Sequence, residues 1–144
     1  MIDLFESCKN DISKFVELES SPEASKFVIP YSADKHAEEM GKENIKYLNI
    51  FHQSKFAGFA ILATEHRITE FRRIIINSKC RGIGQKSILA IESYCKNICK
   101  AQKIWLDVFE ENNRAKHIYK KLGYNKFKSG LYDGRILEFF QKDI

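Results

Sequence analysis

The chain has 144 residues, of which 44% are hydrophobic and 12% aromatic, which suits one folded domain over residues 1–144 and excludes a disordered chain or a disulfide scaffold as its main description. Lysine and arginine (24) exceed aspartate and glutamate (19), for a net charge of +5. This excess favours an anionic partner but does not choose among nucleic acid, an acidic surface and a phosphorylated cofactor.

The first half of the chain predicts short helices and a run of strands. In chain order these are a strand at Ile2–Phe5, a helix from about Asn10 to Glu19, a helix from Ser32 to about Gly41, and strands at Ile45–His52, Phe56–Thr64 and Ile68–Ile76. Pro22 is expected to close the first helical region, and Phe27–Tyr31 to form an apolar loop. Short polar turns between the last three strands predict an antiparallel meander.

The second half alternates between helical and strand patterns. A helix beginning near Ile83 carries one apolar stripe, made of Ile88, Ile91, Cys95 and Ile98. The elements predicted after it are a strand with inward Ile104, Leu106 and Val108, a helix at Asn113–Leu122, and strands at Tyr124–Tyr132 and Arg135–Phe140 joined by a turn at Asp133-Gly134. The complete series predicts an α/β domain with a mixed sheet.

The passage from the strand that ends at Ile76 into the helix near Ile83 is the most informative segment. Gly82 and Gly84 lie where the helix begins, and backbone amides at a helix start have no acceptor inside the helix. Glycine lets an anion approach such amides closely, and the helix dipole favours negative charge there. This turn therefore predicts a diphosphate site. The basic residues beside it are Lys79, Arg81 and Lys86.

Two nucleotide-binding motifs do not fit this turn. A P-loop needs glycine directly before lysine and another glycine five residues earlier, but Gln85 precedes Lys86 and Cys80 holds the earlier position. A dinucleotide fingerprint needs a third glycine where Ser87 stands. Taken alone, the two glycines are also compatible with a purely structural turn.

Two blocks of sequence carry a more specific pattern. Residues 79–84 read Lys-Cys-Arg-Gly-Ile-Gly, and residues 105–124 contain Asp-Val, Asn, Ala, Tyr and Gly-Tyr in that order. Together they resemble the GNAT superfamily of acyl-CoA-dependent N-acetyltransferases, with Lys79 in place of the usual arginine or glutamine. Residues 70–76, Glu-Phe-Arg-Arg-Ile-Ile-Ile, further resemble the branch that includes ribosomal-protein N-terminal acetyltransferases.

The resemblance implies a fold and a cofactor. The fold is a mixed, mainly antiparallel sheet of six to seven strands with about four helices, splayed near the fourth strand. The cofactor is acetyl-CoA as co-substrate, with pantetheine paired to strand backbone and the diphosphate held by helix amides. The residues that the resemblance assigns to cofactor binding are Ile74, Ile76, Lys79, Arg81, Gly82, Ile83, Gly84, Gln85, Lys86, Asn112 and Ala115.

Two residues are candidates for catalysis. Tyr119 occupies the tyrosine position of the family and is expected to protonate the coenzyme A thiolate. Glu70 lies two and four residues before Arg72 and Ile74, so we expect all three on one face of the strand. Glu70 is the candidate base, acting through a water. The alternatives are an ion pair with Arg72 or a solvated position for Glu70, and a half-buried helix aromatic for Tyr119.

The four cysteines include no Cys-x-x-Cys pair, and the first ten residues do not resemble a secretory leader. Cys95 and Cys99 lie one helical turn apart, but no histidine or further cysteine pair stands at metal-ligand spacing, so we predict core thiols and no metal. No apolar run approaches the roughly 18 residues of a membrane span. We expect a cytoplasmic protein without membrane contact.

The function predicted from these observations is direct acetyl transfer from acetyl-CoA to a primary amine, without a covalent enzyme intermediate. Peptide N-termini, lysine, polyamines, aminoglycosides and other small amines remain open as acceptors, with contacts expected from Phe27–Tyr31 and the Ser129–Arg135 hairpin. One alternative is a non-catalytic acyl-CoA-binding regulatory module. Another is a small basic nucleic-acid-binding protein, which the lack of an aromatic RNA-binding motif disfavours. The oligomeric state is open, a homodimer included.

Overall fold

A single β-sheet carries helices on both faces. The computed structural model describes residues 1–78, 80 and 82–144. The strands are β1 (Ile2–Glu6), β2 (Ile45–His52), β3 (Lys55–Glu65), β4 (Ile68–Ile76), β5 (Lys103–Phe109), β6 (Asn125–Tyr132) and β7 (Arg135–Asp143). The helices are α1 (Ile12–Glu19), α2 (Pro22–Ser25), α3 (Ala33–Met40), α4 (Gly84–Asn97) and α5 (Asn113–Lys121), with a 3₁₀ turn at Lys9–Asp11.

The strand order in the sheet is β1-β2-β3-β4-β5-β7-β6. Neighbouring strands are antiparallel except β4 and β5, which run parallel. The meander and the β6–β7 hairpin are therefore confirmed, as is the mixed, mainly antiparallel sheet. The described residues form five α-helices, where about four were expected, because α2 adds one short turn. No helix in these residues is long and apolar enough to cross a membrane.

Short side chains set the helix ends in the first half of the chain. Ser32 caps α3 by accepting a 3.1 Å hydrogen bond from the Lys35 amide, and Gly41 ends that helix, as predicted. As predicted, α1 ends before Pro22, since its last residue is Glu19 and Ser21 is extended; Pro22 also opens the short helix α2, which was not predicted. Its fixed φ suits a first helical position, where no N–H is needed, and Ser21 supplies the cap.

Two clusters of buried side chains form the core, one on each face of the sheet. The cluster under α1 and α3 includes the stacked rings of Phe15 and Phe59. The cluster under α4 includes three residues of the predicted stripe, Ile88, Ile91 and Cys95. The fourth, Ile98, lies just beyond the end of α4 and is 63% exposed, so the buried part of the stripe ends at Cys95.

A β-bulge interrupts β4 halfway along its length. Ile61 of β3 pairs with Arg73 and Leu62 pairs with Phe71, so Arg72 is an extra residue with no partner across the strand. An extra residue breaks the alternation of faces. Before the bulge, Phe71 packs in the cluster under α4; after it, residues 74 and 76 pack there, while residue 75 packs under α1 and α3.

Candidate active site

Strands β4 and β5 diverge at the centre of the sheet. Among the described residues their pairing covers Ile68–Glu70 against Lys103–Trp105, while β5 continues alongside β7 as far as Phe109. A cavity of about 300 Å³ fills the opening. Its walls come from the second halves of β4 and β5, from α5, from residues 27–29 and from the β6–β7 hairpin. This opening is the splay expected near the fourth strand.

The edge of β4 that faces the opening carries backbone groups of Ile74 and Ile76. The Asn77 amide donates a 2.7 Å hydrogen bond to β3. A Cβ atom on Gly58 of β3 would lie 2.1 Å from the Ile75 carbonyl oxygen, so this carbonyl also points toward β3. Backbone groups alternate in direction along a strand. Those of Ile74 and Ile76 therefore point toward the side from which β5 has diverged.

The first turn of α4 has backbone amides that precede its first helical hydrogen bond. The Ser87 amide donates a 2.8 Å hydrogen bond to the Ile83 carbonyl, so the amides of residues 84–86 precede the first helical bond. Gly82 has a φ of +80°, and a Cβ atom on Gly82 or Gly84 would meet nothing within 4 Å. Open space beside Gly82 and Gly84 at a helix start fits the diphosphate of coenzyme A.

The predicted cofactor residues on this turn differ in what they expose. Ile83 is 3% exposed, so its side chain belongs to the core. Gln85 is half-buried and Lys86 is exposed. Lys79 and Arg81 lie outside the described residues, and their phosphate contacts remain predictions.

Helix α5 forms the opposite wall of the cavity. Asn112 caps the helix by accepting a 3.2 Å hydrogen bond from the Ala115 amide, and both residues line the cavity. Tyr119, one turn further along, also lines the cavity, with its ring edge against Tyr124. Burial raises the pKa of the Tyr119 phenol. In the part of the chain that the structure describes, its hydroxyl makes no hydrogen bond, so it is free to face a ligand.

Glu70 is engaged in an ion pair. Its Oε1 accepts hydrogen bonds of 3.3 and 3.1 Å from Arg72 Nε and Nη2, and Arg72 also bonds Glu39 of α3 at 3.3 Å. The expectation that Glu70, Arg72 and Ile74 share one face is wrong, because the bulge at Arg72 turns Ile74 toward α4. Of the described residues, Arg72 lines the cavity but Glu70 does not.

Asp107 is a carboxylate that the sequence reasoning overlooked. It lines the cavity from β5, and although much of its surface is exposed, desolvation of the carboxyl raises its pKa. The negative charge of Glu70 raises that pKa further. The signal available in the sequence was the alternation of β5, which sets Asp107 opposite to the buried Leu106. From this alternation, the Asp107 carboxyl group could have been placed on the face of β5 opposite to Leu106.

Two further segments close the cavity on the side away from α4. We call the five residues that line it there the acceptor-side wall, and they are Phe27, Val28, Ile29, Tyr132 and Leu137. Arg135 joins the two segments, since its Nη2 donates a 3.0 Å hydrogen bond to the Lys26 carbonyl. The loop and the hairpin predicted to contact the acceptor thus lie side by side.

Residues 12–124 match the family model described as Acetyltransferase (GNAT) family. No curated protein matches the chain. Several solved structures share its fold. The spermidine N-acetyltransferase from Vibrio cholerae in complex with CoA and spermine has a TM-score of 0.83 at 20% identity, covering 99% of this chain and 95% of that one. A dodecameric structure of that enzyme has a TM-score of 0.78 at 19% identity, with coverages of 99% and 93%.

An aminoglycoside acetyltransferase, AAC(6')-Ib, gives a similar result. Its complex with coenzyme A and kanamycin has a TM-score of 0.84 at 14% identity, covering 99% of this chain and 95% of that one. At such identities the likeness establishes the fold, while the match to the family model covers most of the chain.

Proposed function

The chain belongs to the acetyltransferase (GNAT) family, and we propose that it transfers the acetyl group of acetyl-CoA directly to a primary amine within a ternary complex. The observation that carries this proposal is the cavity between β4 and β5. Backbone of β4 and the Tyr119 phenol border this cavity, and the amides at the start of α4 follow β4 in the chain.

The cavity and the adjoining turn suit acetyl-CoA as co-substrate. Backbone groups of Ile74 and Ile76 would pair with the pantetheine arm, as a neighbouring strand would, and Asn112 and Ala115 would border it from α5. The amides of residues 84–86 would hold the diphosphate, with open space above Gly82 and Gly84. Lys79, Arg81 and Lys86 would add positive charge.

In the reaction, the amine nitrogen forms a bond to the thioester carbonyl carbon, and the carbon–sulfur bond breaks with its electron pair passing to sulfur. Tyr119 supplies the proton that this thiolate takes up. A tyrosine phenol is protonated at physiological pH, and burial raises the pKa of this one further, so the proton is present there. The amine must lose a proton, which passes to a base on the other side of the cavity.

Two carboxylates are candidates for the base that takes up the proton lost by the amine. Glu70, the base expected from the sequence, would act through a water, because its carboxylate is already paired with Arg72. Asp107 faces the cavity itself, and its raised pKa makes it a stronger base than an ordinary aspartate. We assign direct proton removal to Asp107 and a supporting charge to Glu70; separate pH profiles of the two variants distinguish the roles.

The acceptor in this proposal is a primary amine, and the proposal extends to which class of amine it is. The similar structures bind spermine and kanamycin in their own complexes. The resemblance of residues 70–76 to the ribosomal-protein branch adds a peptide N-terminus to these candidates. Because the acceptor-side wall is mostly apolar, we favour an amine with an apolar group beside it over a polycation. A homodimer is part of the proposal and is tested by sedimentation.

The experiment that tests the function is acetyl-CoA turnover against a panel of peptides, polyamines and amino sugars, with thiol release and amine acetylation measured in parallel. Acetylation of at least one amine at the stoichiometry of thiol release supports the enzyme. Tight coenzyme A binding without acetylation of any amine would instead indicate the acyl-CoA-binding regulatory module.

A further inference from the structure

A buried polar cluster lies behind the acceptor-side wall, and the reaction described above does not use it. Glu19 of α1 and His36 of α3 have fully buried side chains, and His36 Nε2 lies 2.7 Å from Glu19 Oε1. His36 Nδ1 lies 2.7 Å from the Tyr47 hydroxyl on β2. Arg73 of β4 completes the cluster by an ion pair with Glu19; its side chain is 9% exposed, and the residue also belongs to the lining of the cavity.

This cluster holds the backbone of the segment 27–31. Arg73 Nη2 donates a 2.6 Å hydrogen bond to the Ile29 carbonyl, while Nη1 of the same group binds Glu19 Oε2. Glu19 Oε1 accepts a 3.2 Å hydrogen bond from the Tyr31 amide. The Arg73 guanidinium also stacks on the Tyr31 ring, 4.2 Å from its centroid. Ile29, which lines the cavity, is thus fixed from behind.

The bulge in β4 is what brings Arg73 to this position. Phe71 faces α4, so strict alternation would turn Arg73 toward α4 as well. Because Arg72 is an extra residue, Arg73 faces α1 instead and reaches Glu19. The two adjacent arginines then serve different carboxylates, since Arg72 binds Glu70.

We propose that Arg73 is a positioning residue that sets the shape of the acceptor-side wall and thereby the affinity for the acceptor amine. The effect on acceptor affinity rests on the proposed function, whereas the anchoring of the segment 27–31 by Arg73 does not. A fully buried carboxylate needs several donors to offset its desolvation, and Glu19 obtains them from Arg73, His36 and the Tyr31 amide. Loss of one donor weakens the anchor of the whole segment.

Lysine cannot replace Arg73 in this role. The planar guanidinium binds Glu19 with one nitrogen and Ile29 with another, at fixed separation. A lysine ammonium keeps the charge but is a single nitrogen on a flexible chain. Arg73→Lys therefore retains the ion pair and the fold, and loses the bridge to Ile29.

The test compares Arg73→Lys with the wild type in two measurements. Hydrogen exchange of the Tyr31 amide should become faster in the variant, and the KM for the acceptor amine should rise by about tenfold, the effect of one lost charged hydrogen bond. The rise in KM should exceed any fall in kcat. Glu19→Gln removes the charge that opposes Arg73, and it should also speed Tyr31 exchange and raise the KM. This second variant replaces Arg73→Lys in the test if Arg73→Lys does not fold.

The matched control is Asn49→Ala, which removes a nearly buried polar side chain on β2 that bonds Ser7 and Asp11, not the segment 27–31. It should leave Tyr31 exchange and the KM unchanged. Unchanged Tyr31 exchange in Arg73→Lys would overturn the proposal, and so would faster exchange with an unchanged KM. If the wild type acetylates no amine, the proposed function fails, while Tyr31 exchange still decides whether Arg73 holds the wall.

Discussion

Tyr119 reaches the cavity from α5, and burial raises the pKa of its phenol. A proton donor acts mainly in the transition state, so its loss should lower kcat much more than it lowers acetyl-CoA affinity. For Tyr119→Phe we expect a fall in kcat of about 10²-fold or more, the usual size of general acid catalysis. Steady-state kinetics and calorimetric titration with coenzyme A measure the two effects.

A matched control for this variant is available on α4. Tyr94 also has a phenol whose pKa is raised by burial, but its hydroxyl lies 3.5 Å from Glu6 and outside the cavity. Tyr94→Phe should leave kcat unchanged. Equal turnover in Tyr119→Phe and the wild type would remove Tyr119 from the mechanism and leave it as a packing residue.

Asp107, which lines the cavity, and Glu70, whose charge acts on Asp107, predict distinct pH profiles. A base acts when ionised, so kcat/KM should fall as the pH drops through the raised pKa of Asp107. Glu70→Gln removes one of the two causes of that raised pKa, and the acid limb should move to lower pH. If Glu70 is itself the base, the rate should fall near neutral pH and recover partly at higher pH, where more acceptor arrives as free amine.

Stability provides an independent check on Asp107. Its folded-state pKa lies above the ordinary 3.8, so the folded protein binds more protons than the unfolded chain between these two values. This group's contribution to stability therefore decreases as the pH rises through that window. At pH 7, Asp107→Asn should lower turnover without lowering the melting temperature. A clear loss of stability would show that Asp107 is a structural residue.

The positions of site residues were predictable where a motif named them, and their electrostatic environment was not. Tyr119, Asn112 and Ala115 follow from a motif, and all three line the cavity. Asp107 stands in the same motif, but its raised pKa depends on burial and on Glu70, which is distant in sequence. Interactions of this kind require the parallel contact between β4 and β5, which sequence alone does not specify.

At the scale of elements, periodicity predicted β2 and β4 with their observed bounds, because alternation and polar turns mark both ends. The bulge at Arg72 is not marked in the sequence in this way, since β4 reads as one continuous strand with or without an extra residue. That single residue overturned the shared face expected for Glu70 and Ile74. It also placed Arg73 behind the acceptor-side wall.

The start of α4 gives a prediction in which stability and binding separate. Gly84 has no positive φ and has open space where the methyl group of an alanine would lie, so Gly84→Ala should be tolerated or stabilise by about 0.4–1 kcal/mol. The methyl group should hold a diphosphate away from the amides and weaken coenzyme A binding. Thermal unfolding and calorimetry measure the two effects.

Gly82 is the poorer position for this test, although the sequence favours it equally. Its φ of +80° strains any side chain, so a loss of binding could come from a distorted turn. As a control, Leu89→Ala alters an exposed position of the same helix and should leave binding unchanged. Unaltered affinity in Gly84→Ala would contradict the diphosphate site.

At the scale of the whole molecule, the opening lies where the two halves of the sheet meet. Strands β1 to β4 form one half, β5 to β7 the other, and three paired residues on each strand join them. The antiparallel pairs β2–β3, β3–β4 and β6–β7 follow from short turns and are predictable. The extent of the parallel contact is set by packing across both faces, so the sequence indicates a splay only through its family resemblance.

A ligand that bridges the two halves should stabilise the whole protein. At a free concentration about 100 times its Kd, coenzyme A should add about 2.7 kcal/mol to the free energy of unfolding and raise the melting temperature by about 5–10 °C. Hydrogen exchange of single amides is the more specific measurement, because it shows where coenzyme A binds. Amides of Ile74 and Ile76, which face the opening, should exchange more slowly with coenzyme A bound.

Ile75 is the internal control for this experiment, because its backbone already faces β3 on the same strand. Its exchange should change only by the global increase in stability. If coenzyme A slows all three amides equally, or slows none of them while raising the melting temperature, the cofactor binds elsewhere. Slower exchange confined to the alternate residues would identify the pantetheine arm as the strand that pairs with β4 where β5 has diverged.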